Sequence, residues 1–399
     1  MSKRLKIAIF SGAIPSSTFV EHLINNISDY HNVYLFGVVN KKTVYKNNSV
    51  KQIVTPKRHF KNLLISLVRT FQLLFKAPKD LLIVLRKALS YPVHYDKWIW
   101  YTKYLPIALH RPDILHLQWA RDLNFYYFFQ EELNINLIVG LRGAHINYSP
   151  IVEERIANLY RKTFPQIQNF HAVSNAIAKE AQQYGADANN IRVIHSPIQT
   201  ETFQYFKKRE ASNDEEFNII SVGRFHWVKG MTYAIDACRI LKERGFKFHF
   251  HFYATNAIDE ETLFKIHQFD LQDHITVHRS VAQKELFSKM KSADVLLLTS
   301  LAEGIANVVL EAMAIGVPVI STDCGGMSEV VINNTTGKLI PKRDAEAIAE
   351  AITALSRQDD KETEKTINSA HDLVQEQFYS EDVIGQFKDF YENAVANNI

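Results

Sequence analysis

Two carboxylates, Glu303 and Glu311, stand eight residues apart, with the turn Gly304-Ile305-Ala306-Asn307 between them. Carboxylates suit hydroxyl-rich ligands, because each oxygen accepts hydrogen bonds. The turn follows the apolar run Val295–Leu298 and opens a helix near Asn307. Gly316 suits a left-handed cap for that helix, and Pro318 prevents its continuation. Free amides at such a helix start favour phosphate or another anion. This arrangement lets both carboxylates face one cleft. A second group lies about 80 residues earlier, in Ser221-Val222-Gly223-Arg224-Phe225-His226-Trp227-Val228-Lys229-Gly230. Gly223 and Gly230 give the backbone freedom. Arg224 supplies a fork of donors and Lys229 a point charge, a pairing that suits a diphosphate. A surface loop with two solvated cations fits the spacing equally well, since basic residues beside glycine are common.

The elements that must carry these groups alternate β-branched runs with helical patterns, the signature of βα units around a parallel sheet. Strands are expected over Lys6–Phe10, 33–38, 113–117, 137–141 and 170–173 in the first half. In the second half they are expected over 218–222, 248–253, 275–278, 295–299 and 318–321. Helices fit Thr18–Ile27, 177–184, Met231–Glu243, 284–292 and Asn307–Ile315. Lys207, Lys208, Arg209, Glu210, Asp214, Glu215 and Glu216 crowd one short stretch near the midpoint, which reads as solvated chain near a domain junction. The 399 residues suit two or three domains. With 46% hydrophobic and 22% charged residues the composition is that of an ordinary soluble globular protein. A net charge of +3 gives no argument for nucleic acid, and none is expected as a partner. Cys238 and Cys324 stand in no metal spacing, which points to a reducing compartment without structural zinc. The basic start before Lys6–Phe10 is too short in its apolar run for a signal peptide, and no run is long enough to span a membrane.

Residues 57–103 differ from the rest. They hold ten Lys or Arg against two acids, interleaved with Leu64, Leu67, Phe71, Phe75, Trp98 and Trp100. Such a stretch could lie on an anionic membrane surface, or form a helical pair packed on its own domain with the cations solvated. Phe248, Phe250 and Phe252 alternate with His249 and His251. That period of two predicts a strand with Phe buried, and His249-x-His251 lacks a third ligand nearby in the sequence. The run Phe125–Phe129 is expected in a helix core. No Gly-x-Gly-x-x-Gly follows Phe10 or Val222, which disfavours a dinucleotide enzyme.

The Gly-Arg…Lys-Gly loop, followed by Glu-x7-Glu, resembles glycosyltransferase family 4. The stretch 193–197 is similar to that family's crossing between domains, and Asp323-Cys324-Gly325-Gly326-Met327-Ser328-Glu329 to its glycine-rich stretch. The resemblance implies an α/β GT-B fold, two Rossmann-like domains with parallel sheets facing a central cleft. The first would span residues 1–197, with a C-terminal helix over 377–399 packing back on it. The second, over 198–376, would take the donor. The implied activity is a retaining transfer from a nucleotide-diphosphate sugar to a glycan or lipid-linked acceptor, in surface polysaccharide synthesis. The implied location is cytoplasmic, with 57–103 as a peripheral membrane surface. In this resemblance Arg224 and Lys229 bind the diphosphate, and Glu311 holds the ribose. Glu303 lies near the donor sugar, lined by Gly304, Ile305, Ala306 and Asn307, with Gly223 in the diphosphate loop. No metal or other cofactor is expected. Gly12, in the loop Ser11–Val20 before a helix, would approach a substrate. Arg142 stands where the family often has His, and His145 where it often has Asp. Arg142 is a candidate for charge stabilisation, and His145 for an acceptor contact or base. A sugar epimerase, a phosphorylase or a non-catalytic sugar-nucleotide-binding subunit are the alternatives.

Overall fold

The computed structural model describes residues 4–10, 12–45, 47–206 and 216–396. The charged stretch at 207–216 therefore falls, apart from Glu216, outside the described residues. The chain forms two compact units. One comprises Met1–Ala172, Ala178–Ile194 and Ile384–Ile399; the other comprises Val173–Ile177 and His195–Val383.

The first unit holds β1 (Lys6–Phe10), β2 (Gly12–Ile14), β3 (Asn32–Val39), β4 (Val50–Val54), β5 (Ile114–Leu117), β6 (Asn136–Leu141), β7 (Phe170–Ala172) and β8 (Ile191–Val193). All pairings are parallel. β1 and β2 follow one another along one edge of β3, and β4 takes the other edge. Beyond β1 come β5, β6, β7 and β8 in order. The second unit holds β9 (Phe217–Gly223), β10 (Phe248–Ala254), β11 (Ile275–Arg279), β12 (Val295–Leu298), β13 (Val319–Thr322) and β14 (Lys338–Ile340). Their order is β11-β10-β9-β12-β13-β14, again parallel. Helices cover both faces of such a sheet, so central strands read as continuous apolar runs; every residue of β12 is buried. In β10 the alternation survives, with Phe248, Phe250 and Phe252 buried and His249 and His251 half-buried.

Four expectations change. The loop expected over Ser11–Val20 contains β2, because Gly12, Ala13 and Ile14 continue the ladder on Gly37, Val38 and Val39. Helix α1 then runs over Thr18–Ile27. The C-terminal helix expected over 377–399 is present but starts at Ser380 and is described to Ala396, with Tyr379 extended between it and a separate helix, Asp360–Phe378. The break has a local cause: Ile198 N donates to Phe378 O at 2.9 Å, and Ile198 and Tyr379 form a parallel bridge. His251 does have a histidine beside it, since His278 of β11 brings Nε2 to 3.1 Å from His251 Nδ1. Among the described residues, however, no three His, Cys, Asp or Glu are placed to hold a metal. Finally, the basic stretch forms three helices rather than a pair: α2 (His59–Lys76), α3 (Pro78–Leu89) and α4 (His94–His110). Pro78 opens α3, where its missing N–H costs nothing.

α2 is amphipathic with its faces exchanged. Its buried residues are Asn62, Ser66 and Leu73. Asn62 Nδ2 donates to Thr102 Oγ1 of α4 at 3.2 Å, and Thr70 and Tyr101 share a hydroxyl bond at 2.6 Å. Phe60, Leu64, Leu67, Val68, Phe71 and Phe75 face outward, Phe75 at 85% exposure.

Candidate active site

In the second unit β9 ends at Gly223, and the chain turns through Arg224 into the short turn Trp227–Lys229. Gly230 follows with φ +62°. A Cβ there would lie 2.1 Å from Thr299 O, so only glycine lets the turn sit against the end of β12. Two bonds pin it: Thr299 Oγ1 donates to Lys229 O at 2.9 Å, and Leu301 N donates to Val228 O at 2.7 Å. Lys229 is thus carried to the loop after β12. Its Nζ donates to Glu303 Oε1 at 2.6 Å, and Ser300 Oγ donates to the same oxygen at 2.7 Å. Arg224 is exposed and makes no hydrogen bond or ion pair with another described residue. His226 accepts from Val228 N at 3.3 Å; burial, then Arg224 and Lys229, push its pKa down.

The loop after β12 is fixed from the other side by the glycine pair. Gly326 N donates to Gly304 O at 2.6 Å. Gly325 has φ +58°, and a Cβ there would come within 1.8 Å of Glu303 O. Ile305 and Ala306 then lead into the helix Asn307–Ile315, which Gly316 ends in a left-handed cap. Ala306 N donates to Met327 Sδ at 3.4 Å, while no side chain caps the helix start. Its first amides therefore keep their capacity for an acceptor. Asn307 is exposed beside them. Glu311 sits one turn on, where Gln283 Nε2 donates to its Oε1 at 3.1 Å. Burial pushes the Glu311 carboxyl up to about 7. Glu303 is thus held by Lys229 and Ser300, and Glu311 by Gln283.

The remaining candidates belong to the first unit. Gly12 opens β2 with φ +81°. Arg142 follows β6 and is 8% exposed. Its Nη2 donates to Gln118 Oε1 at 3.3 Å, and the guanidinium lies 4.3 Å over the Phe19 ring. Burial pushes its pKa down to about 9. His145 lies in the short helix Ala144–Asn147 after Gly143, which has φ +40°. Tyr160 Oη donates to His145 O at 2.9 Å, and the imidazole stands 5.2 Å from the Trp119 ring. Burial and then Arg121 push its pKa down.

Residues 203–372 match the family model for glycosyl transferases group 1, and residues 31–202 the model for glycosyltransferase family 4. The chain belongs to glycosyltransferase family 4. It is 31% identical over 226 residues to the amylovoran biosynthesis glycosyltransferase AmsK of Erwinia amylovora, which covers 55% of each chain. It is 30% identical over 225 residues, again 55% of each, to the putative colanic acid biosynthesis glycosyltransferase WcaL of Escherichia coli. The match thus spans about half the length of these curated relatives. Among solved structures, the Anabaena HepE complex with UDP-glucose superposes with a TM-score of 0.69 at 16% identity, over 98% of this chain and 100% of that one. The fold is GT-B, built from two parallel-sheet α/β units.

In this family 4 chain the structure joins Lys229 to Glu303 directly. It pins the Gly223–Gly230 loop to the end of β12, and gathers Gly304–Asn307 at an uncapped helix start. It leaves Arg224 without a protein partner among the described residues. Several neighbours carried no signal in the sequence. Ser300 and Gln283 are ordinary polar residues until the fold brings them to Glu303 and Glu311. Gln118 and Trp119 end a strand that was legible, yet their meeting with Arg142 and His145 depends on β5 pairing with β6. His116 Nδ1 meets Tyr391 Oη at 2.8 Å across 275 residues of chain.

Proposed function

We propose that this family 4 chain moves a glycosyl unit from a nucleotide-diphosphate sugar to a glycan or lipid-linked acceptor, with retention, in the assembly of a surface polysaccharide. The observation that carries this reading is the Lys229–Glu303 contact on a pinned loop, with Arg224 exposed on that loop and an uncapped helix start following Glu303. A diphosphate would take Arg224 and the helix amides directly, and would compete with Glu303 for Lys229. Charge on the departing diphosphate is then met by donors already in position. As the bond from the anomeric carbon to the diphosphate oxygen breaks and the acceptor oxygen bonds to that carbon on the same face, the departing oxygen is basic enough to take the acceptor's proton, so no protein residue need act as base or nucleophile. Glu311, when ionised, accepts from two ribose hydroxyls. Glu303, as Lys229 turns to the diphosphate, accepts from a sugar hydroxyl, with Gly304, Ile305, Ala306 and Asn307 lining the sugar through backbone groups. Gly223 and Gly12 let backbone approach the donor or acceptor. Arg142 and His145 belong to the sugar side of the reaction. The names of AmsK and WcaL support a polysaccharide product, and the UDP-glucose held by HepE supports a UDP-sugar donor.

No described helix is long and apolar enough to cross a membrane. The outward apolar face of α2, in a stretch without acids from Lys57 to Lys79, supports peripheral attachment at the cytoplasmic face of a membrane, where a lipid-linked acceptor would be found.

The test is transfer from labelled UDP-sugars, with and without lipid-extracted acceptor, and with the anomer of the product read by NMR. Lys229→Ala should lower kcat about 100-fold or more, the cost of removing one charge-stabilising donor. Turnover within a few-fold of wild type in a folded Lys229→Ala protein would refute the assignment of the diphosphate to this loop.

A further inference from the structure

We propose that Arg142 is the grip for an anionic group, a carboxylate or a phosphate, carried by a sugar substrate. That the carrier is a sugar rests on the glycosyl-transfer reading above; the need for an anion rests on the local geometry alone. Arg142 is over nine-tenths buried, and no carboxylate among the described residues pairs with it. Its hydrogen bond goes to the neutral Gln118 Oε1, at a long 3.3 Å, the guanidinium lies over the face of Phe19, and the buried His116 and Tyr391, neither of them a carboxylate, are near enough to interact with its charge. Nε is buried with no acceptor. A buried charge left without a counter-charge is strongly unfavourable, so a cation kept here for packing alone would be expected to have an acid beside it. With its pKa held at about 9 the group remains protonated at neutral pH.

The unmet donors cluster. Gln118, whose Oε1 meets Arg142, is fully buried with its Nε2 unpartnered. Gln118 and Arg142 stand at the carboxyl ends of the paired strands β5 and β6, the end of a parallel sheet at which ligands bind. A Cβ built on Gly12 or on Gly143 would meet no atom within 4 Å. A guanidinium fork beside a primary amide matches two oxygens of one carboxylate or phosphate. A neutral hydroxyl would leave the charge uncompensated.

Thermal unfolding tests this without any transfer assay. Arg142→Met removes the uncompensated charge at similar length, and should raise the melting temperature of the ligand-free protein by about 2–4 °C. D-glucuronate and glucose 6-phosphate, at matched ionic strength, should raise the wild-type melting temperature, glucose should not, and Arg142→Met should respond to none of them. Arg142→Lys should keep a weaker response. A response to glucuronate alone identifies a carboxylate, and one to glucose 6-phosphate alone a phosphate. An equal response in Arg142→Met, no response in wild type, or a lower ligand-free melting temperature in Arg142→Met would overturn the proposal. A protein that shows the thermal pattern yet transfers no sugar keeps the anion site and loses the transfer reading; the reverse result does the opposite.

Discussion

Glu311 carries its chemistry in its ionisation. Burial pushes it up to about 7, against a single bond from Gln283. The ionised form accepts from the ribose hydroxyls more strongly than the neutral one, and for a carboxyl with a raised pKa that form is lost as pH falls through about 7. Nucleotide affinity should therefore weaken between pH 8 and pH 6, and calorimetric titration of UDP across that range would measure it. Glu311→Gln should bind UDP more weakly at pH 8 and with little dependence on pH. At this scale the sequence was informative about types and silent about partners. Lys229 and Glu303 could be read as cation and carboxylate, because their loops have recognisable glycines and follow apolar strands. That they touch could not be read, because it depends on a turn seated against Thr299 and Leu301 far along the chain.

The elements hold those side chains through close backbone approaches, and glycine is the means. Gly325 combines a left-handed backbone with a carbonyl 1.8 Å from where a Cβ would lie. Gly325→Ala should cost at least about 1–2 kcal/mol from the left-handed conformation alone. It should also shift the loop that carries Glu303, so that denaturant midpoint and donor KM deteriorate together. Elements with strong periodicity and clear ends were legible to the residue: Thr18–Ile27, Met231–Glu243 and Asn307–Ile315 fall where apolar spacing and Gly230 or Gly316 place them. β2 and β4 were not legible. β2 is three residues long, and β4 has none of its residues fully buried, so neither prints a pattern. α2 shows a helical pattern whose orientation the sequence cannot supply, since apolar spacing alone assumes that the apolar face turns inward.

For the whole molecule, that outward face is a prediction about where the protein resides. Wild-type protein should sediment with vesicles containing anionic phospholipid at low salt, and less as salt screens Lys57, Arg58, Lys61 and Lys79. The double variant Leu64→Glu, Phe71→Glu alters two exposed side chains, so it should stay folded and stay in the supernatant. Equal sedimentation of the variant and wild type would remove the lipid-facing role of α2. The two-unit α/β organisation itself was legible early, because two series of apolar runs alternating with helical patterns leave few other architectures.

The first unit draws its last segment from Ile384 onward, where Phe387 and Tyr391 are buried and Tyr391 reaches His116. A nascent chain emerging from the ribosome must therefore hold its N-terminal unit one helix short, with every strand of its sheet already made, while the whole second unit is synthesised. Truncation at residue 194 would leave apolar surface and His116 uncovered, and such a fragment should need a chaperone, or the missing helix added as a peptide, to stay in solution.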